Sequence, residues 1–308
     1  MIKVENLIYE YPRKLALDNI SFTIPKGSIT ALVGANGAGK TTLLKCLAAL
    51  IAPFSGKILV NDIDVLKSPR ACQHMMGFLP DFFGLYDTLT IEQSLSYFAL
   101  ARKVDANKIP IRVKEVVNLL NLNEKIHEKI GNLSRGMRQR VGIGQAMIHD
   151  PSLLLLDEPA AGLDPEARIA LKDLFLELNR QGKTLVVSSH ILAELDQYAS
   201  DLLILKDGKI VEHNVSLKGE QNIEKNICIE LLEPPENILE IISSINGILS
   251  PKIQGNTIIF KFDGNVIEQN LLLKKLIDLN LNLIQFYVKV EGVQEQYIQT
   301  ISGNTLHV

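Results

Sequence analysis

Apolar and polar residues alternate with a period of two through the N-terminal stretch, in Lys3–Ile8, Leu17–Phe22 and Ile29–Val33. Successive side chains of a strand point to opposite faces, so this alternation predicts three strands. A glycine-rich turn follows, and Thr41–Leu47 begins a helix. From about residue 88 to 149 the period changes. Ile91, Leu95, Phe98 and Ala99, and then Val113, Val116, Val117 and Leu120, recur at three and four, the mark of helices that bury one stripe. After Pro151, continuous apolar runs alternate with helical stretches: Leu153–Leu156, a helix over Glu166–Leu178, Thr184–Ser188, a helix from Ile191, and Leu202–Leu205. A strand that is apolar at every position has both faces covered, so this part predicts a parallel sheet between helices.

Beyond about Gly219 the chain turns rich in Ile, Asn and Gln and holds no glycine-rich loop. Ile227–Leu232, Thr257–Phe262 and Leu283–Val288 read as strands, and Ile238–Ile245 and Val266–Leu279 as helices. The order strand, helix, strand pair, helix, strand predicts a small α+β unit of the split βαβ, or ferredoxin-like, kind. The expected division is therefore 1–219 and 220–308, with a helical subdomain over about 82–149 of the first part.

Composition narrows the classes. The chain has 308 residues, 46% hydrophobic and 22% charged, which is the profile of a folded globular protein long enough for two domains. A net charge of -3 gives no basic field for nucleic acid or anionic lipid, so no nucleic-acid partner is expected. Cys46, Cys72 and Cys228 lie far apart without metal-binding spacing and read as reduced thiols of a cytoplasmic protein. The N-terminus shows no apolar signal core, and Leu153–Leu156 meets Asp157 long before the roughly 18 residues a membrane span needs. Work at a membrane would require another protein to hold the chain there.

Chemistry enters at Gly34-Ala35-Asn36-Gly37-Ala38-Gly39-Lys40-Thr41, which satisfies G-x-x-x-x-G-K-[ST] between a strand and a helix. Gly34, Gly37 and Gly39 let the backbone wrap a phosphate with its amides, and the helix start adds positive potential. Lys40 supplies a point charge for β- and γ-phosphates, and the Thr41 hydroxyl is a ligand for Mg²⁺. Together these residues imply a nucleotide, without naming the reaction.

Leu153–Leu156 ends in Asp157-Glu158. Two acids at the carboxyl end of a buried strand are costly unless a site uses them. Asp157 is placed to hold Mg²⁺ and Glu158 to polarise an attacking water. His190 closes another apolar strand running toward the same face, where open α/β sheets bind ligands, and is expected at the γ-phosphate.

The order of these motifs, with Leu133-Ser134-Arg135-Gly136-Met137 between them, resembles the ATP-binding subunits of ABC transporters. The five residues match that family's Leu-Ser-Gly-Gly-Gln signature in three positions, with Ser134 lying 23 residues before Asp157. Ala161-Gly162-Leu163-Asp164-Pro165 is similar to the family's D-loop, His190 to its switch histidine, and Tyr11 to the aromatic that stacks on adenine. The likeness covers about residues 1–215. It implies a P-loop ATPase core with an antiparallel β subdomain and a helical subdomain. It also implies ATP and Mg²⁺ as cofactors, with residues 34–42 (through Thr42) on the phosphates. In the family two subunits pair head to tail, so Ser134 and Gly136 of one would contact the γ-phosphate held by Lys40 of the other. The partner would be a second copy or a paralogous ATPase subunit.

Arg135 and Met137 depart from the family's glycine and glutamine, and the basic residue is similar to the branch that works with a separate ABC-2-type permease. That resemblance places the chain on the cytoplasmic face of the bacterial inner membrane, held through its permease. Met76-Gly77-Phe78-Leu79-Pro80-Asp81 is similar to the family's Q-loop with Asp81 in place of glutamine. Asp81 reads either as a residue reaching the Mg²⁺ shell or as a turn former. Phe82, Phe83, Leu85 and Tyr86 follow, and read either as a permease-facing cluster or as core. A soluble ABC ATPase acting on nucleic acid or ribosomes is the alternative. Repair-type members carry long heptad insertions and ribosome-acting members two cassettes, and this chain has neither. A second rival, a non-hydrolysing regulatory module, is opposed by Glu158 and His190.

Overall fold

A computed structural model describes residues 1–190, 192–214, 225–279 and 281–289. They divide between two compact units, one N-terminal and one C-terminal. The expected boundary at 219/220, Ile191 at the start of an expected helix, and the stretch 290–308 lie outside the described residues.

The first unit opens with β1 (Ile2–Tyr11) and β2 (Lys14–Ile24), an antiparallel pair, followed by β3 (Ile29–Val33) and α1 (Lys40–Leu47). Next come β4 (Ser55–Val60), β5 (Ile63–Asp64), α2 (Pro69–Met75) and β6 (Met76–Leu79). Three helices then run as α3 (Ile91–Ala101), α4 (Ile109–Leu119) and α5 (Arg135–Met147). The last part alternates as β7 (Leu153–Leu156), α6 (Pro165–Arg180), β8 (Thr184–Ser189), α7 (Leu192–Leu195), β9 (Asp201–Lys206) and β10 (Lys209–Asn214). Two sheets result. One is antiparallel, in the order β2-β1-β4-β5; the other has the order β10-β9-β3-β8-β7-β6 and is parallel except at its edge strand β10.

The unbroken apolar runs have a structural cause: both faces of the central sheet are covered. Along β7, Leu153 and Leu155 pack with the antiparallel sheet and α1, in one core with Leu32, Leu43, Val186 and Leu203. Leu154 and Leu156 face the other way, into a core with Val33, Val187, Ile204 and the helices. All four leucines are buried, each contributing roughly 1.5–3 kcal/mol relative to exposure. The helical stripes are equally plain. Ile91, Leu95, Val113, Val116 and Val117 are buried in the second core, and α3 starts at a capping box of Thr90 and Gln93.

β4, β5, β6 and β10 have no counterpart in the sequence reading. β4 buries only Ile58 and Val60 among six residues, and the antiparallel sheet is thereby solvated on one side. β6 is four residues long. β10 is an edge strand that includes Glu212, His213 and Asn214. No described helix is long and apolar enough to cross a membrane.

The second unit contains β11 (Lys225–Leu231), α8 (Ile238–Ser243), β12 (Ile248–Gln254), β13 (Thr257–Phe262), α9 (Val266–Asp278) and β14 (Leu283–Lys289). Its antiparallel sheet has the order β12-β13-β11-β14, the arrangement of a ferredoxin-like split βαβ unit. Ile227, Ile229, Ile258, Phe260 and Leu276 form its own core.

Candidate active site

β3 delivers the chain into the glycine loop at the carboxyl end of the central sheet. Gly39 sits at φ 111, and a Cβ there would lie 2.6 Å from the Ala16 carbonyl oxygen, so neither backbone angle nor space admits a side chain. Gly34 is equally confined, with the Leu205 carbonyl oxygen where a Cβ would go. Ala38 donates its N–H to Ala35 O (3.1 Å), which closes the loop around Asn36 and Gly37. Gly39 is the N-cap of α1 and offers no side chain to its first turn. A helix that starts this way leaves positive potential for an anion.

Lys40 is buried, and its Nζ donates to Gly34 O (2.7 Å) and lies 3.7 Å from Glu158 Oε1. The ammonium therefore already sits inside the loop that wraps the phosphate. Thr41 is exposed on the same turn, and Thr42 is buried with its Oγ1 3.4 Å from the Tyr11 hydroxyl. Tyr11 ends β1, its ring packed edge-on against Tyr9 at 4.9 Å.

β7 and β8 pair in parallel with Leu156 opposite Val187, which brings Asp157 level with Ser188. Ser188 Oγ donates to Asp157 Oδ1 (2.6 Å) and accepts the Glu158 N–H (2.9 Å), so one serine holds both acidic positions. Ser188 was read only as strand in the sequence. No local signal in the sequence marks it, because its partners come from the end of the neighbouring strand. Glu158 has φ 49, a left-handed conformation rare outside glycine and one that surroundings must enforce. His190 Nδ1 lies 2.7 Å from Glu158 Oε2.

Asp157 is buried, and its Oδ2 has no hydrogen-bond partner. An orphaned buried carboxylate oxygen beside a phosphate loop fits a cation. Among the described residues no group of three or more His, Cys, Asp or Glu could hold a metal ion. Mg²⁺ needs no such cage, since phosphates, water and one or two protein oxygens complete its octahedron. An all-oxygen set of Asp157 and the Thr41 hydroxyl suits Mg²⁺ better than Zn²⁺.

A cavity of about 240 Å³ brings together Tyr11, Lys40, Thr41, Thr42, Asp81 and Glu158. A second, of about 460 Å³, shares Asp81 and Glu158 with it and is lined further by Phe82, Phe83, Leu85 and Arg135. Asp81 is exposed, yet its proton affinity is raised. Partial burial is the main cause, followed by the charges of Asp157 and Glu158, with Arg135 and His190 opposing. The aromatic cluster divides. Phe82 is 91% exposed and Tyr86 58%, whereas Phe83 and Leu85 pack on the helical core, Phe83 against Gly142.

Ser134 and Gly136 line neither cavity. Ser134 is exposed and caps its own helix, its Oγ accepting the Met137 N–H at 3.3 Å. Gly136 is buried, and a Cβ there would lie 2.7 Å from Ala167 Cβ on α6.

A phosphate loop between β3 and α1, a carboxylate pair at the end of β7 and a histidine after β8 define a P-loop nucleotide hydrolase. The model of the family described as ABC transporter matches residues 17–161. NatA, an ABC transporter ATP-binding protein of Bacillus subtilis, is 34% identical over 64% of this chain and 80% of its own length. An uncharacterized ABC transporter ATP-binding protein of the same organism, YxlF, is 29% identical over 98% of this chain and 99% of its own. Among solved structures, a dimeric ATP-binding cassette in a post-hydrolysis state with ADP and Pi shares 25% identity at a TM-score of 0.64. It covers 71% of this chain and 100% of its own. The chain belongs to the family of ABC transporter ATP-binding proteins. It is the ATP-binding subunit of a transporter, and it binds ATP with Mg²⁺ and hydrolyses it.

Proposed function

We propose that the chain works as one half of a head-to-tail pair, with a second copy or a paralogous ATPase subunit, and drives a separate ABC-2-type permease from the cytoplasmic face of the membrane. One observation carries the pairing. The cavity that holds Lys40 and Glu158 does not include Ser134 or Gly136, and Ser134 is exposed outside it. A partner's signature segment would supply the missing donors. Phe82 and Tyr86, both exposed in the segment after Asp81, are the surface we assign to the permease. The C-terminal unit, with its own core, would serve assembly or regulation rather than nucleotide binding.

The residues divide the work. Tyr11 would stack on adenine, residues 34–42 would wrap the phosphates, and Thr41 and Asp157 would hold Mg²⁺. The ion, when bound, neutralises charge on the β- and γ-phosphates. Ser188 occupies one oxygen of Asp157 and leaves the other for the metal. Glu158 takes the proton of the attacking water at a side-chain oxygen. His190 orients it, and because a carboxylate only accepts, the 2.7 Å contact puts the proton on Nδ1. Nε2 of the neutral ring is then an acceptor, so meeting a γ-phosphate oxygen requires a protonated ring or a turn of Nδ1 away from Glu158. Asp81 would reach the metal through a bridging water, being about 1.5 Å shorter than glutamine.

Pairing makes hydrolysis depend on association. ATPase rate should rise more steeply than linearly with protein concentration, in step with dimer measured by sedimentation in ATP. A strictly linear rate down to nanomolar protein would contradict the pairing.

A further inference from the structure

We propose that Arg135 is a positioning residue for hydrolysis: it ties the start of α5 to the loop behind Glu158 and so holds that carboxylate in place. The inference rests on the reading of Glu158 as the hydrolytic base. Arg135 is the first residue of α5, and it is exposed. Among the described residues no carboxylate forms an ion pair with it, which is unusual for a guanidinium in a site this rich in acids. It spends its contacts on backbone instead. Nη2 donates to Ala161 O at 3.0 Å. The guanidinium also lies flat against Gly162, where an added Cβ would run into Cζ and both terminal nitrogens. Gly162 has φ 67, so the backbone angle favours glycine, and a side chain there would push the guanidinium off its seat.

The far end of this tether is Glu158 itself. Ala161 donates its N–H to Glu158 O at 3.1 Å, closing a tight turn immediately after the acid. Glu158 sits at φ 49, and a strained residue keeps such a conformation only where its neighbours over-determine it. Ser188 holds the amide side of Glu158, and the turn at Ala161 holds the carbonyl side. Arg135 is the side chain that fixes Ala161 from outside the loop. A planar guanidinium can bond a carbonyl and cover a glycine at once; a lysine ammonium can do only the first.

The test is a double-mutant cycle between Arg135→Ala and Gly162→Ala, read in kcat and KM for ATP, with Arg135→Lys as the conservative variant. Arg135→Ala should lower kcat roughly tenfold, equivalent to about 1.4 kcal/mol of barrier, with KM and melting temperature almost unchanged. Arg135→Lys should recover part of the loss. Gly162→Ala should cost about as much in the parent, and at most about threefold further once Arg135 is Ala, because the clash has gone. Normal kcat in Arg135→Ala, or effects that simply multiply, would overturn the tether. Glu158→Gln, assayed alongside, tests the base by itself: full turnover in that variant would remove the base while leaving the measured coupling between residues 135 and 162 intact.

Discussion

Two helices of this chain are candidates to meet a phosphate at their N-termini, and they begin in opposite ways. α1 starts at Gly39, without a side-chain cap, deep in the crevice of the central sheet and next to a buried Lys40. α5 starts at an exposed Ser134 that caps its own first turn, with Arg135 engaged on Ala161 and Gly136 pressed on Ala167. One start is shaped for an anion before any ligand arrives. The other has its first turn capped within its own chain, and because Ser134 only accepts in that cap, its hydroxyl proton stays free to donate to an anion. On the proposed pairing, that difference makes α1 the half-site that holds the nucleotide and α5 the donor to another chain's site.

The largest effect should come on the α1 side. Glu158→Gln keeps the shape of the side chain but cannot accept a proton, so turnover should fall roughly 10²–10⁴-fold while ATP binding persists. Turnover and equilibrium nucleotide binding measured on the same preparation check this, and near-normal turnover would move the base elsewhere.

A smaller effect separates two uses of Gly136. Gly136→Ala puts a Cβ 2.7 Å from Ala167 Cβ, an overpacking of typically 1–3 kcal/mol. Ala167→Gly should restore the melting temperature of Gly136→Ala. It should not restore turnover, which is expected to stay down about tenfold, because the partner's phosphate also needs that backbone bare. Full recovery of turnover would leave Gly136 a packing glycine alone.

The smallest concerns Asp81, which lies between the two cavities. Asp81→Ala should shift the Mg²⁺ dependence of hydrolysis by a few-fold and leave metal-free nucleotide binding unchanged, as expected for a group acting through water. An unaltered Mg²⁺ titration would leave Asp81 a turn former.

What was legible in the sequence follows the same line. The α1 half-site is local: Gly34 to Thr42 are contiguous, and Asp157 and Glu158 interrupt an apolar run. The central strands were legible because full burial leaves them apolar at every position. β4 and β5 were not, since β4 runs Ser-Gly-Lys before three apolar residues and shows no alternation, and β5 is two residues long. Ser188 was invisible as a site residue because its partners lie 31 and 30 residues away, across a strand pairing. Phe82 and Phe83 are identical in sequence terms, and only the packing of Phe83 on Gly142 divides them. For α5, Ser134 carried a visible capping signal, but nothing local marked a site; resemblance alone pointed there.

Mixing two crippled chains tests the division of labour most directly. Lys40→Ala removes the α1 half-site and keeps α5, whereas Ser134→Glu keeps α1 and places a repelling charge on α5. Each protein alone should be nearly inactive. In a mixed pair, one of the two sites would combine an intact Lys40 with an intact Ser134, so mixing should restore a substantial fraction of the parent's ATPase rate. A mixture no more active than the sum of its parts would contradict the claim that each chain supplies half of its partner's site.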